Sequence, residues 1–164
     1  MRGFNCCICN HPCPLYCPSF TTSCRENIVV NPVLSESFGF FNNTAVGAVE
    51  SGATIPLALI QGRGTSITGS STTTGAINLL PGTYEVAYFA EGTVPESGVI
   101  SIQLELNEVV VSGSTISQTL PAGSGTTLTQ TIVINVPQES TLELVNNSVD
   151  TTTYANASVF IRRL

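Results

Sequence analysis

The sequence predicts an all-β protein, an antiparallel β-sandwich, with a jelly roll as the preferred arrangement within that class. Apolar and polar residues alternate along several segments, which gives each strand one face toward a core and one toward solvent. Turn signals recur about every 8 to 12 residues, a spacing typical of sandwiches and barrels. No window of useful length has apolar residues at helical spacing.

The clearest strand pattern lies in Gly98 to Val111, GVISIQLELNEVVV. Its apolar residues, from Ile100 to Leu106, alternate with polar ones, so we expect one face on the core and the other in water. Asn107-Glu108 interrupts the run before three valines. This interruption predicts a tight reversal into a second strand, of uncertain turn type because glycine is missing.

Residues 1–37 are predicted to form an arm that is extended or irregular. Pro12, Pro14 and Pro18 each remove a backbone donor and disfavour helix. Ile28–Val30 is a candidate short strand closed by Pro32, which suits an edge or an added strand. All the cysteines lie in this arm: Cys6, Cys7, Cys9, Cys13, Cys17 and Cys24.

Residues 38–164 are predicted to form the sandwich. Beyond the segment described above, the candidate strands are Thr54–Ile60, Tyr84–Phe89, Thr115–Leu120, Leu128–Val136, Thr141–Val145 and Ala157–Ile161. Turns are expected at Leu79–Gly82 and Pro121–Gly125, and the glycine and serine clusters at 62–64 and 69–75 suggest loops or short strand ends. We interpret Tyr84, Tyr88, Phe89 and Phe160 as core or subunit-interface aromatics.

The composition disfavours several partners. Only 10% of the 164 residues are charged, the net charge is −6, and all five basic residues are arginines. Scattered arginines on an acidic chain cannot form the basic stripe that nucleic acids require, and anionic membranes are disfavoured for the same reason. A surface of such low charge suits faces packed against copies of the same chain. We expect no signal peptide and no membrane span, because no apolar run has the required length.

The chain offers little for catalysis. Its single histidine, His11, lies in the arm, and it has no lysine and no GxSxG motif. The carboxylate pairs Glu105 with Glu108 and Glu139 with Glu143 occupy positions typical of solvated strand or turn residues. Asp150 is the only aspartate, which disfavours a calcium site. We therefore expect no enzymatic activity, no cofactor and no bound metal. Sequons begin at Asn42, Asn146 and Asn156, but such triplets arise readily by chance in a chain rich in Asn and Thr.

Three segments resemble a known family: NLLPGTYEVAYF (78–89), SIQLELNEVVVSGSTI (101–116) and ASVFIRRL (157–164). In this order they resemble the C-terminal domain of the BclA-type exosporium collagen-like glycoproteins of spore-forming bacteria. The resemblance implies a trimeric jelly roll of the tumour-necrosis-factor and complement type. The chain has no Gly-X-Y repeat, and the cysteine-rich arm stands where a collagen stalk would be.

A cysteine-rich connector ahead of a jelly roll also resembles the subunits of bacterial endospore appendage fibres. That resemblance implies an extracellular location on the spore surface, with the arm of one subunit docking into the next and crosslinking to it. An exosporium anchor protein and a tip protein are further candidate partners. The absence of a signal peptide argues against disulfides in a cytosolic protein, but the implied assembly on a spore surface answers that objection.

The chemistry of the cysteines has three interpretations. Disulfides between subunits are favoured; since residues 38–164 contain no cysteine, such bonds must join arm to arm. An extended arm of 24 residues reaches up to about 80 Å, beyond the roughly 35 to 40 Å width of the globule. Disulfides within one arm and zinc binding with His11 are the alternatives, although no pair of CxxC motifs is present.

Two functions follow as hypotheses. The first is a structural fibre subunit of stacked jelly-roll units joined by crosslinked arms. The second is an exosporium-anchored adhesin, a tip domain whose loops recognise a glycan or another surface ligand, as jelly-roll folds often do.

Overall fold

The computed structural model describes residues 36–164, which form β-strands, turns and loops. The twelve strands, in chain order, are β1 (Phe38–Asn43), β2 (Gly47–Val49), β3 (Ala58–Arg63), β4 (Ile67–Gly69), β5 (Ile77–Leu79), β6 (Gly82–Thr93), β7 (Gly98–Leu106), β8 (Val109–Val110), β9 (Ile116–Leu120), β10 (Gly125–Val136), β11 (Ser140–Asn146) and β12 (Thr152–Arg163). The predicted strand at 28–30 and all six cysteines lie outside the described residues.

The strands form two antiparallel sheets of six strands each. Sheet I has the order β10-β6-β12-β1-β3, with β2 paired to β12. Sheet II has the order β4-β5-β11-β7-β8, with β9 also paired to β7. The many non-consecutive neighbours, such as β12 between β6 and β1, are typical of a jelly roll and confirm the predicted all-β sandwich.

The core lies between the two sheets. The alternation in the long strands places Tyr84, Val86 and Tyr88 from sheet I opposite Ile102 and Leu104 from sheet II, all at most 1% exposed. The Phe41 ring fills a narrow part of the interior. A Cβ built on Gly39 or Gly69 would lie 2.7 or 2.4 Å from that ring, so neither position has room for a larger residue.

The predicted hairpin is present, and its turn type is now defined. β7 pairs with β8 through Leu106–Val109, and Asn107 and Glu108 have φ angles of 52° and 65°. Two consecutive left-handed residues between antiparallel strands match a type I′ turn. Asparagine tolerates this conformation, whereas glutamate is strained in it, which explains why the turn was ambiguous in the sequence.

Several strand limits differ from the prediction. The strand expected at 54–60 begins at Ala58, because Pro56 cannot donate to a ladder, and it continues to Arg63. Thr54 instead makes an isolated bridge to Val145. β2, β4 and β5 were not predicted, since three residues are too few to show an alternation.

The outer face of β7 is less exposed than its polarity suggested. Ser101 and Gln103 are only 3% and 8% exposed. The loop after β11 covers Ser101, with the Ser148 hydroxyl accepting from the Ser101 backbone N–H at 3.0 Å and the Asn147 amide donating to the Ser101 hydroxyl at 3.1 Å. Polar residues on this face therefore bind loops, and are buried without facing the core.

Candidate self-association surface

The outward face of sheet I carries four phenylalanines on its three central strands. Side chains on β1, β12 and β6 alternate between core and surface, so Phe38, Phe40, Phe89 and Phe160 point outward while their neighbours are buried. We call these four residues the aromatic face. The sequence had predicted Phe89 and Phe160 as core or interface aromatics, and the structure assigns them to the surface, with Tyr84 and Tyr88 in the core.

Strand register makes the aromatic face a connected patch. Phe40 lies directly opposite Phe160, and Ser158 lies opposite Phe89. The Phe38 and Phe160 rings stack with centroids 6.3 Å apart and an interplanar angle of 27°. Phe160 is 40% exposed although it sits on the central strand of the sheet. Phe38, Phe40 and Phe89 are half-buried. An outward-facing, partly exposed aromatic cluster at the middle of a sheet is typical of a contact surface.

Two asparagines border this patch with unused hydrogen-bond acceptors. The Oδ1 atoms of Asn42 and Asn156 are buried and have no hydrogen-bond partner among the described residues. Both side chains lie on the outward face, beside Ser158, which is opposite Asn42. Because an unpaired buried acceptor is costly, these two oxygens lower the stability of the isolated subunit.

The two arginines at the edge of the aromatic face have partners within the chain. Arg162 forms an ion pair with Glu85, the residue opposite it on β6. Arg163 donates to the Ser66 hydroxyl at 2.7 Å and to the Pro81 carbonyl at 2.8 Å. A cavity of about 400 Å³ opens beside Phe38, Phe160 and Arg162. It lies at Glu36 and Ser37, where the chain enters the sandwich.

A second apolar surface lies at one edge of the sandwich. Val109 and Val110 of β8 are 68% and 48% exposed, and Val133 of β10 is 62% exposed. Together with Leu106 and Val111 they line an open groove of about 370 Å³, which we call the valine groove. The three valines of the sequence had signalled a strand, but their exposure depends on how the two sheet edges meet and was not predicted.

A buried polar cluster fixes the loops at the other end of the sheets. Asn146 is fully buried; its amide donates to the carbonyls of Val49 and Glu50 at 2.9 and 3.1 Å, and its Oδ1 accepts from the Tyr154 hydroxyl at 2.8 Å. The bond from Tyr154 on β12 to Asn146 on β11 joins the two sheets. This asparagine is therefore structural, and its sequon is inaccessible in the folded chain.

Burial changes the acidity of all three tyrosines in the sandwich. Desolvation raises the pKa of Tyr88 and of Tyr154 to about 12 each. Desolvation also raises the pKa of Tyr84, with the nearby Arg163 acting in the opposite direction. The Tyr84 hydroxyl donates to the Leu80 carbonyl at 2.6 Å, and the Tyr88 hydroxyl donates to the Ser114 carbonyl. These hydroxyls are satisfied in the core and do not face a ligand.

The carboxylates that were weighed as catalytic candidates are dispersed. Glu105 accepts from the Gln103 amide at 2.8 Å and Glu143 accepts from the Thr54 hydroxyl at 3.0 Å, whereas Glu108, Glu139 and Asp150 are exposed. Within residues 36–164, no three metal-ligating side chains of His, Cys, Asp or Glu come together. The same part of the chain contains no helix long and apolar enough to cross a membrane.

Comparison with solved structures supports the fold. The chain is similar to Eiger TNF from S. frugiperda, with a TM-score of 0.60 at 12% identity over 79% of this chain and 93% of that chain. It is also similar to murine APRIL at pH 5.0, with a TM-score of 0.57 at 10% identity over 79% of this chain and 99% of that chain. The sandwich is therefore a jelly roll of the tumour-necrosis-factor type, as the sequence predicted.

No protein-family model matches the chain. No curated protein matches it either.

Proposed function

We propose that this chain is a structural subunit of an extracellular fibre on the spore surface of bacteria. Its jelly-roll bodies associate with one another as trimers through the aromatic face, and the trimers stack. The N-terminal arm of one subunit docks into the adjacent unit, where Cys6, Cys7, Cys9, Cys13, Cys17 and Cys24 form disulfides between arms. The assembly has no enzymatic role.

The aromatic face is the observation that carries this proposal. Phe38 and Phe160 stack on the outer face of sheet I, and Phe160 is 40% exposed on its central strand. Burying such a patch removes apolar surface from water at roughly 25 cal/mol per Å². A second copy is the occupant that low charge favours, since only 10% of residues are charged and the ion pair of Arg162 with Glu85 neutralises the edge.

The three-fold order and the stacking come from the family resemblance of the sequence. A closed ring requires a heterologous contact whose rotation returns to the first subunit. Because a closed ring uses this contact within the trimer, growth along the fibre requires a different contact. The arm supports that assignment, because all six cysteines of the chain lie in residues 6–24 and the sandwich has none.

Electron microscopy of the full chain tests the proposed function. Purified protein under oxidising conditions is expected to form long fibres, and electrophoresis without reductant should give a ladder or material too large to enter the gel. Reductant should return the ladder to the 17.2 kDa chain. Discrete particles with clean monomer on that gel would refute the fibre and favour the adhesin hypothesis.

A matched pair of full-length variants assigns the crosslinks. Replacement of all six arm cysteines by serine should abolish the ladder while the far-ultraviolet circular dichroism of the sandwich is unchanged. Replacement of Ser19, Thr21, Thr22, Ser23, Asn27 and Ser35 by alanine alters the same number of polar positions in the same arm and should leave the ladder intact. A persistent ladder in the cysteine-free variant would overturn the proposed chemistry.

A further inference from the structure

We infer that the valine groove is the receptor for an arm, and that Ile28–Leu34 of a neighbouring copy adds to it as an extended strand paired with β8. This inference rests on the proposed function, because it names the site into which the docking arm inserts. The groove and the aromatic face are then two separate contact surfaces, one for the arm and one for trimer formation.

The valine groove leaves apolar side chains uncovered between the edges of the two sheets. Leu106 and Val111 pack against the core from the hairpin side, and Val109 lies on the same side as its partner Leu106. Val109 is nevertheless 68% exposed. On the opposite side, Val133 and Ile134 of β10 line the groove, and β10 is the last strand of sheet I. Apolar side chains at this mouth of the sandwich lack a covering element among the described residues.

The backbone of β8 favours a strand over any other occupant. Val111 donates its N–H to the Leu104 carbonyl at 2.9 Å, so residues 104 and 111 form the hydrogen-bonded pair. Antiparallel pairs alternate, and Val110 therefore directs its N–H and carbonyl away from β7. In the described part of sheet II no strand lies beyond β8. An extended peptide can satisfy these two groups, whereas the flat face of another sheet has no free backbone groups to offer.

Ile28–Leu34 has the composition that this edge requires. The segment reads IVVNPVL, with five aliphatic residues for an apolar groove of about 370 Å³. Pro32 cannot donate to a ladder, which suits a strand paired on one side only. Arg25, three residues before the segment, carries a charge opposite to that of Glu105 and Glu108 beside the hairpin, so the charges are complementary.

Photocrosslinking of the full chain tests this inference. We would place p-benzoylphenylalanine at position 110, mix isotopically heavy and light chains before assembly, irradiate, reduce and cleave after glutamate. Position 110 then lies in peptide 109–139, the arm segment in peptide 27–36, and the start of the sandwich in peptide 37–50. The expected product joins 109–139 to 27–36 with mixed isotopes. The same photoreactive group at position 60, where Ile60 is 62% exposed on the opposite edge strand, should give no such product.

Each of three other outcomes would overturn the inference. Crosslinks to 37–50 or 144–164, which carry Phe40 and Phe160, would show that the aromatic face of another copy covers the groove. Isotopically pure products would show that the arm folds back on its own chain. An absence of crosslinks in fibres seen by microscopy would show an empty groove while the proposed function stands. Absence of fibres would instead refute the proposed function.

A substitution that removes one N–H separates strand pairing from side-chain contact. With the photoreactive group moved to position 133, Val110→Pro is expected to lower the yield of crosslinks to 27–36 at least fivefold. Val110→Thr keeps the N–H and nearly the same shape and should leave the yield within twofold. Because the Val110 N–H points away from β7, neither variant removes a hydrogen bond of the hairpin. Equal yields from the two variants would refute strand addition.

Discussion

The outer faces of the two sheets differ in how completely their polar groups are satisfied. On sheet II, Thr141 donates to Asn78 at 3.2 Å and Gln103 donates to Glu105 at 2.8 Å, so polar side chains pair with one another. On sheet I, outward-facing phenylalanines, of which Phe160 is 40% exposed, stand beside Asn42 and Asn156, whose buried acceptors have no donor among the described residues. The polar side chains named on sheet II are satisfied within the chain, whereas sheet I presents aromatic residues and leaves two acceptors unpaired.

The two sheets also differ in the residue types that they direct into the core. The three tyrosines of the sandwich, Tyr84, Tyr88 and Tyr154, come from sheet I, whereas sheet II contributes aliphatic residues such as Ile102 and Leu104. Sheet I therefore carries aromatic residues on both faces. Sheet I thus supplies the tyrosine hydroxyls that anchor the core as well as the outward-facing phenylalanines.

The largest expected effect is on self-association. Phe160→Asp adds a charge to the middle of the aromatic face and should weaken association about 30-fold or more per contact, as for a central interface residue. Thr141→Asp adds the same charge to the outer face of sheet II and should change association less than threefold. Sedimentation equilibrium of the reduced proteins measures both. Equal effects of the two substitutions would remove the distinction between the faces.

The bond between the sheets should be the next most sensitive feature. Asn146→Ala removes, in a buried site, the acceptor of the Tyr154 hydroxyl and of the Ser148 N–H, and the donor to the Val49 carbonyl. We expect a loss of roughly 3 kcal/mol in the free energy of unfolding, from these unsatisfied groups. Urea denaturation checks this. Asn147→Ala, at an exposed neighbour, keeps its backbone bond to Ser101 and loses only the side-chain bond to the Ser101 hydroxyl, so it should cost about 1 kcal/mol.

The unpaired asparagine acceptors should affect folding. Asn156→Leu removes a buried acceptor that has no partner among the described residues, so the isolated subunit should gain about 1 kcal/mol in stability. Asn78→Leu on sheet II loses its bond from Thr141 and should gain no stability. Unfolding in urea measures both variants. A loss of stability in Asn156→Leu would contradict the assignment of an unpaired acceptor.

The smallest expected effect is on the free energy of unfolding at alkaline pH. It concerns the tyrosines that sheet I, and not sheet II, directs into the core. The folded pKa of Tyr88 and Tyr154 is about 12, above the ordinary value of 10.0, so the protonated form favours folding. Their contribution to stability is complete below pH 10 and is lost as the pH rises through about 12. Absorbance at the tyrosinate band should show Tyr88 and Tyr154 titrating late. Tyr154→Phe should reduce the slope of unfolding free energy against pH in this window, and an unchanged slope would contradict the assignment.

The sequence predicted the parts of the fold that depend on periodicity. Alternation in Tyr84–Phe89 and Ile100–Leu106 was sufficient to place the core residues, and the hairpin at Asn107-Glu108 followed from the interrupted run. The burial of Ser101 was not predictable, because the loop that covers it comes from residues 147–148, far away in the chain.

The candidate surface was predictable only in part. Phe89 and Phe160 were recognised as core or interface residues, but Phe38 and Phe40 join them only through the register of β1 on β12. The valine groove depends on the meeting of two sheet edges, β8 and β10, which no local pattern encodes. Sequence reasoning therefore identified residues of the right type and could not assemble them into a surface.

Native mass spectrometry of the full-length reduced protein tests the central claim most directly, because it counts subunits without any crosslink. The account predicts a dominant species at three times 17.2 kDa, which Phe160→Asp converts to single chains and Thr141→Asp does not. A single chain of 17.2 kDa at micromolar concentration, for the unsubstituted protein, would contradict the claim that the aromatic face of sheet I binds a second copy.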